Sequence, residues 1–292
     1  LLLPREREDE AMPEARSHDQ SRGGREGASA RYPIVKHRQG EVPARAEDEA
    51  VVEEPLEIRV AGRGVGVTMR TPGHDTELVL GFLVGEGLLS RASDVEHVRP
   101  CDRAVGDRID VIVSPGVAVD FARLTRHVFA SSSCGVCGTA SIDALRHRFP
   151  NAADGLVVPA GALYEVTAKL RAAQPTFDQT GGLHAAGLFD ASGALVVARE
   201  DVGRHNAVDK VVGWAFLRGM LPLTGHFLVV SGRVSFEIVQ KALAAGVALV
   251  AGVSAPSSLA IDLASESNIT LIGFLREGRF NVYACAERVD QG

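Results

Sequence analysis

Two thiols three positions apart, Cys134 and Cys137, lie in the run Ser131-Ser132-Ser133-Cys134-Gly135-Val136-Cys137-Gly138. Ser and Gly put little bulk between sulfur and an incoming molecule, and the pattern Thr139-Ala140-Ser141-Ile142-Asp143-Ala144-Leu145 that follows is helical. A thiol just ahead of a helix start feels unpaired amide N–H groups and the positive end of the helix dipole, and both favour thiolate. Thiolate is the form that attacks sulfur or binds metal. Three chemistries are open. Zinc needs four ligands, and Cys101 and Cys285 do not form a second close pair. A dithiol–disulfide oxidoreductase would carry the pair early in a thioredoxin-like unit, and here it falls mid-chain. A sulfur carrier takes the terminal sulfur of a donor persulfide onto one thiolate while the second thiol shields or resolves the intermediate.

The elements that must position this loop are read from apolar periodicity. Val51–Val60 and Gly64–Met69 are expected as strands of a hairpin turning at Ala61-Gly62-Arg63. A helix capped by Asp75 is expected over Thr76–Leu89, with Gly81 and Gly85 four apart as a flat spot for another backbone. Val95–Arg99 and Arg108–Val113 read as short strands, Val119–Phe129 and Leu163–Ala173 as helices, and Leu183–Phe189 with Ala194–Ala198 as a strand pair. Phe227–Val230, Val247–Val253 and Ile269–Phe274 are short and almost wholly apolar, separated by helical patterns at Ser235–Ala245 and Ser257–Ser265. Strands apolar on both faces that alternate with helices predict an α/β fold, a sheet flanked by helices.

Ligands of such sheets sit beyond the carboxyl ends of the strands. Those ends carry Arg199 to His205, Ser231-Gly232-Arg233, Ser254 to Ser258 and Arg276-Glu277-Gly278-Arg279, rich in small hydroxyls, glycine and arginine. They predict a phosphorylated or otherwise anionic ligand, although neither a G-x-G-x-x-G nor a phosphate-loop pattern is present. His205 and Asp209 share a helix face: His205 is a candidate proton relay, and Asp209 or Asp201 a candidate acceptor for guanine N–H groups, with a helix cap the alternative for Asp201. His184 starts an apolar strand and faces either the site or the strand end. Cys101 and Cys285 are expected as small buried hydrophobes.

The 292 residues carry a net charge of −6, with 46% hydrophobic and 23% charged residues. That balance gives no reason to expect nucleic acid as partner. No apolar run approaches the roughly 20 residues of a membrane span, and Leu1-Leu2-Leu3 is too short for a signal core. A cytoplasmic protein with reduced thiols is expected.

Several motifs together resemble one family, the FdhD proteins, formate dehydrogenase accessory sulfurtransferases. They are Glu54-Pro55-Leu56, Gly81-Phe82 with Glu86-Gly87, the Cys134–Gly138 run, Thr180-Gly181-Gly182-Leu183-His184-Ala185-Ala186, Asp201-Val202-Gly203-Arg204-His205 with Asp209-Lys210, Ser231-Gly232-Arg233-Val234-Ser235-Phe236-Glu237, and Leu271-Ile272-Gly273-Phe274. The resemblance implies transfer of persulfide sulfur from a cysteine desulfurase, through Cys134 assisted by Cys137, to the bis-molybdopterin guanine dinucleotide form of the molybdenum cofactor that formate dehydrogenase requires. It implies a cytidine-deaminase-like fold without that fold's zinc, a homodimer, and a cofactor-binding segment at Phe274, Leu275, Arg276, Glu277, Gly278 and Arg279. Ser231, Arg233, His205 and Asp201 are expected to complete the cofactor site. Residues 1–33 are expected as a disordered tail, 34–155 as a smaller β-rich part with the thiol loop, and 156–290 as the α/β cofactor-binding part of one domain. A cofactor-binding chaperone without sulfur transfer, or a Cys-x-x-Cys zinc module, are the alternatives.

Overall fold

The computed structural model describes residues 27–101, 107–121, 149–152 and 155–291. The thiol loop, with Cys134 and Cys137, and nearly all of the helix expected over Val119–Phe129 lie outside them. Strand β1 (Ser29–Lys36) begins inside the stretch whose composition reads as a tail and pairs antiparallel with β2 (Ala44–Val51). Both strands of this ribbon are largely exposed, so no apolar stripe announces them.

The hairpin of β3 (Glu54–Val60) and β4 (Arg63–Arg70) turns at Ala61-Gly62, both at positive φ, 49° and 79°. Twist-matched two-residue hairpins require that geometry. With β5 (Val95–Cys101) and β6 (Arg108–Val113) they form a four-stranded sheet ordered β4-β3-β6-β5. Helix α1 (Asp75–Gly85) follows β4. Its N-cap is His74, held at φ 58°, not Asp75. The Asp75 carboxylate turns away to Arg70, 3.0 Å distant.

The rest builds a larger mixed sheet. After β7 (Val158–Pro159), α2 (Ala160–Ala172) and α3 (Pro175–Thr180) come β8 (His184–Asp190), β9 (Leu195–Asp201), α4 (Arg204–Leu217), β10 (His226–Val230), α5 (Phe236–Ala244), β11 (Leu249–Gly252), α6 (Ser258–Glu266), β12 (Thr270–Arg276), β13 (Arg279–Ala284) and β14 (Val289–Asp290). The order is β13-β12-β11-β10-β8-β9, with β10, β11 and β12 parallel and the outer pairs antiparallel. The three parallel strands are the apolar runs of the sequence and are buried nearly throughout, as strands covered on both faces must be. Helices α2 and α4 both pack on β8 and β9.

The closest approach between the two halves is a helix crossing. At the crossing of α1 and α4, a Cβ on Gly81 would fall 1.8 Å from the Asp209 carbonyl oxygen, and one on Gly213 would fall 1.8 Å from that of Glu77. Each helix gives up a side chain where the other's backbone passes, which outweighs the roughly 1 kcal/mol that a helical glycine costs against alanine. The flat spot expected at Gly81 is this crossing; Gly85 instead faces the Lys241 side chain. Because α4 is seated this closely, its first turn, with Arg204 and His205, is fixed relative to the sheet.

Candidate functional site

The direction of the strands brings distant segments to one edge. Strands β9, β10, β11 and β12 end there, β8 and β13 begin there, and α4, α5 and α6 start there behind Gly203, Ser235 and Ser257. The edge therefore collects His184, Arg204, His205, Ser231, Arg233 and the segment Phe274–Arg279. Gly232 lies among them: a Cβ at that position would stand 3.3 Å from His184 Nδ1 and 3.9 Å from Arg204 Cδ.

Three of the arginines here have no carboxylate partner among the described residues. Arg204 keeps a buried Nε that makes no hydrogen bond, and Arg233 and Arg279 are exposed without an ion pair. Arg276 donates to the Val253 carbonyl and, at 2.9 Å, to that of Leu275. Unmatched positive charge in a concave edge lined by glycine and hydroxyls attracts anions. The segment expected to bind cofactor is divided by a bulge in β12: Leu275 is fully buried, while Phe274 is 44% exposed at φ 52°. A left-handed conformation costs a residue other than glycine about 1–2 kcal/mol. Here a hydrogen bond from the Phe274 N–H to the Ser254 carbonyl, 3.1 Å, holds it. Of the six residues Phe274–Arg279, Leu275 thus serves the core.

His205 is the centre of a side-chain chain. Its Nδ1 is 3.3 Å from Glu237 Oε2 and its Nε2 is 3.0 Å from Ser235 Oγ. Burial lowers its pKa to about 4, against the pull of Glu237 and with the help of Lys241 and Arg204. The ring is neutral near pH 7, with Nδ1 facing the carboxylate and Nε2 sharing a hydrogen bond with the serine hydroxyl. Ser235 consequently does not cap α5 with its side chain. His184 is also pushed down, first by burial and then by Arg204 and Arg233.

Two carboxylates expected to read a ligand are instead buried on lysines. Asp201 is completely buried, 2.7 Å from Lys210 Nζ, and accepts from the amides of Thr71 and Gly203 and from Asn206. It locks the β9–α4 turn to the end of β4, and its carboxylate is taken up by the protein rather than presented at the sheet edge. Asp209 is buried with both oxygens on Lys241 Nζ, at 2.8 and 2.9 Å. Burial pushes the Asp209 carboxyl up to about 7, against the pull of Lys241. The Lys241 pKa is raised, because Asp209 and Glu237 outweigh its burial. Cys285 packs against the core but is only half-buried, less enclosed than expected.

Beside the arginines opens a cavity of about 640 Å³. His184, Ser231 and Glu277, which the sequence singled out, line it together with Arg171, Gln174 and Phe177, which it did not. Ser231 Oγ also accepts from the Ala185 amide at 2.8 Å, which fixes the start of β8. Arg204 was legible only as a neighbour of His205 in the β9–α4 turn. Nothing in the local sequence around Gln174 marks it.

A mixed α/β sheet with an anion-attracting edge defines a class of ligand-binding proteins, and comparison with known proteins narrows it. Residues 51–290 match the FdhD/NarQ family. The chain is 51% identical over 258 residues to the sulfur carrier protein FdhD of Mycolicibacterium paratuberculosis, covering 86% of this chain and 94% of that one. It is 50% identical over 268 residues to the sulfur carrier protein FdhD of Streptomyces coelicolor, covering 89% and 95%. Among solved structures, one described as a formate dehydrogenase accessory protein from Desulfotalea psychrophila superposes with a TM-score of 0.74 at 27% identity, over 90% of this chain and all of the other. This chain belongs to the FdhD/NarQ family.

Proposed function

We propose that the chain is a sulfurtransferase that takes sulfur from a cysteine desulfurase as a persulfide on Cys134 and delivers it to the bis-molybdopterin guanine dinucleotide cofactor required by formate dehydrogenase. In the first step the Cys134 thiolate attacks the terminal sulfur of the donor persulfide. The donor S–S bond breaks, the donor cysteine leaves as thiolate, and Cys134 carries the added sulfur. Cys137, three positions on, shields or resolves it. The reading is carried by Cys134-Gly135-Val136-Cys137 in a chain of a family whose relatives are named sulfur carriers.

The acceptor, here a substrate, is polyanionic, and the edge with Arg204, Arg233 and Arg279 unmatched suits it. Ser231, Arg233, His205 and the exposed side chains of Phe274–Arg279 are the residues proposed to hold it. Charge-assisted hydrogen bonds from such arginines contribute about 1.5–3 kcal/mol each. The working form is proposed to be a cytoplasmic homodimer that meets the desulfurase, the cofactor and formate dehydrogenase in turn.

Incubation with a desulfurase and cysteine, followed by mass spectrometry of the loop peptide, tests the reading. One added sulfur is expected on Cys134 and none after Cys134→Ala; an unmodified wild-type peptide rejects it. A chaperone that only binds cofactor would still bring formate dehydrogenase to full activity as the Cys134→Ala/Cys137→Ala variant.

A further inference from the structure

The side chains around His205 stand in an order that sulfur transfer does not use. Ser235 Oγ is 3.0 Å from Nε2 of the ring, and Glu237 Oε2 is 3.3 Å from Nδ1 on its other side. A hydroxyl, an imidazole and a carboxylate in that sequence are how acyl-transfer enzymes activate a serine, and the set is recognised by geometry rather than by chain order. All three residues are half-buried, so a small molecule can reach them. The ring is neutral near pH 7, the form that accepts a proton.

The fold holds the three in register. His205 lies in the first turn of α4, which the close crossing with α1 fixes. Ser235 ends a segment tied to the β11–α6 loop: the Val234 amide donates to the Ala255 carbonyl at 3.2 Å, and the Ser257 amide to that of Val234 at 3.0 Å. Glu237 lies in the first turn of α5, where Lys241, one turn on, faces its other oxygen at 3.7 Å. Lys241 is itself fixed on Asp209. The Glu237 carboxyl is thus set with one oxygen toward the lysine and one toward the ring.

The surroundings supply what an acyl group needs. Because the Ser235 side chain does not cap α5, the first-turn amides, beginning with that of Phe236, are left for another acceptor. The amide that follows a nucleophilic serine is a usual donor to the developing oxyanion. Arg204 and His184 stand near enough to His205 to lower its pKa, and Arg204 has no carboxylate partner among the described residues. A guanidinium beside the nucleophile favours a substrate whose leaving group is anionic.

The geometry points to a serine hydrolase centre that cleaves small acyl phosphates, with Ser235 as nucleophile, His205 as base and Glu237 as positioning residue. Ser235 Oγ attacks the carbonyl carbon while its proton passes to His205 Nε2, the other ring proton resting on Nδ1 toward Glu237. The bond from the carbonyl carbon to the phosphate oxygen breaks, and the phosphate departs past Arg204 carrying the proton from Nε2. Water, deprotonated by the same nitrogen, then attacks the acyl-serine and releases a carboxylic acid and the serine hydroxyl. No oxidant or reductant is needed, and no thiol takes part, so the activity is separate from sulfur transfer.

The full chain tests this with two readouts: labelling by a fluorophosphonate, which reacts with activated serines, located by peptide mass spectrometry, and release of phosphate from acetyl phosphate. The wild type is expected to be labelled on Ser235 and to turn over acetyl phosphate faster than buffer does, and Ser235→Ala to lose both. His205→Gln and Glu237→Gln are each expected to slow both by at least about a hundredfold, in kcat rather than KM, with the unfolding midpoint of each variant checking that it folds. Arg204→Met is expected to raise KM for acetyl phosphate about tenfold. A wild type unlabelled on Ser235, acetyl phosphate consumed no faster than in buffer, or rates that a folded His205→Gln chain leaves unchanged would overturn the assignment.

Discussion

Arg70 and Arg204 are both arginines drawn into the protein, and they are treated in opposite ways. Arg70, 2% exposed, is surrounded by Glu54, Asp75 and Asp107 at 3.3, 3.0 and 2.6 Å. Arg199, at the α1 face of β9, is held by both oxygens of Glu77 at 2.6 and 2.9 Å. A few residues further along the same chain, Arg204 has no carboxylate partner among the described residues, and neither do Arg233 and Arg279 at the same sheet edge. In the first region the charges are a joint: Arg70 Nε is as unmet as that of Arg204, but carboxylates fixed by the fold neutralise each guanidinium, and breaking the set leaves charge buried and unpaired. In the second the charge is left for something that arrives. The difference separates positions whose loss should cost stability from positions whose loss should cost binding.

The largest effect is expected where the two regions meet. Gly81→Ala drives a methyl into the Asp209 carbonyl and should destabilise the chain by roughly 3–5 kcal/mol or prevent folding, read by denaturant unfolding. Arg70→Met should cost about 3 kcal/mol, because three carboxylates lose their common cation, and it should leave guanine nucleotide affinity unchanged in the folded fraction. His205 lies between the two behaviours. Its folded pKa, about 4, is below its ordinary 6.5, so the unfolded state binds more protons between those values. Stability should therefore fall by on the order of 2–3 kcal/mol as pH drops through that window. Arg204, His184, Lys241 and Glu237 face the ring, and His205→Gln should flatten this part of the pH profile. The smallest effect on stability, within about 0.5 kcal/mol, is expected of Arg279→Ala. The same change should weaken GDP binding about tenfold. An Arg279→Ala chain that unfolds more easily but binds GDP normally would erase the contrast.

What could be read in advance follows the same division. The apolar runs of β10, β11 and β12, the β3–β4 turn at Ala61-Gly62 and the small residues at Gly81 are written in local pattern, because burial on both faces, a positive φ and a close crossing each demand particular residue types. The β1–β2 ribbon was missed, since its side chains face solvent on both sides and alternate no signal. Asp201 and Asp209 resemble ligand-reading carboxylates until their partners are known; Lys210 is near in sequence, but Lys241 is a whole strand and helix away. Gln174 and Phe177 gain their meaning only from the cavity that β8, β10 and α2 close around them. Of the expected site, His184, Ser231, Arg233 and Glu277 do gather at the sheet edge, whereas Leu275 and Asp201 belong to the interior.

Separating sulfur loading from delivery tests the central claim most directly, namely that the thiol loop donates and the unmatched arginines receive. The Arg204→Ala/Arg279→Ala variant would be loaded by a desulfurase and cysteine, then supplied with cofactor and formate dehydrogenase. Persulfide on Cys134 at the wild-type level with formate dehydrogenase left inactive is the expected result. Full activation by that variant would contradict it, because the sulfur would then have reached the cofactor without the arginine edge.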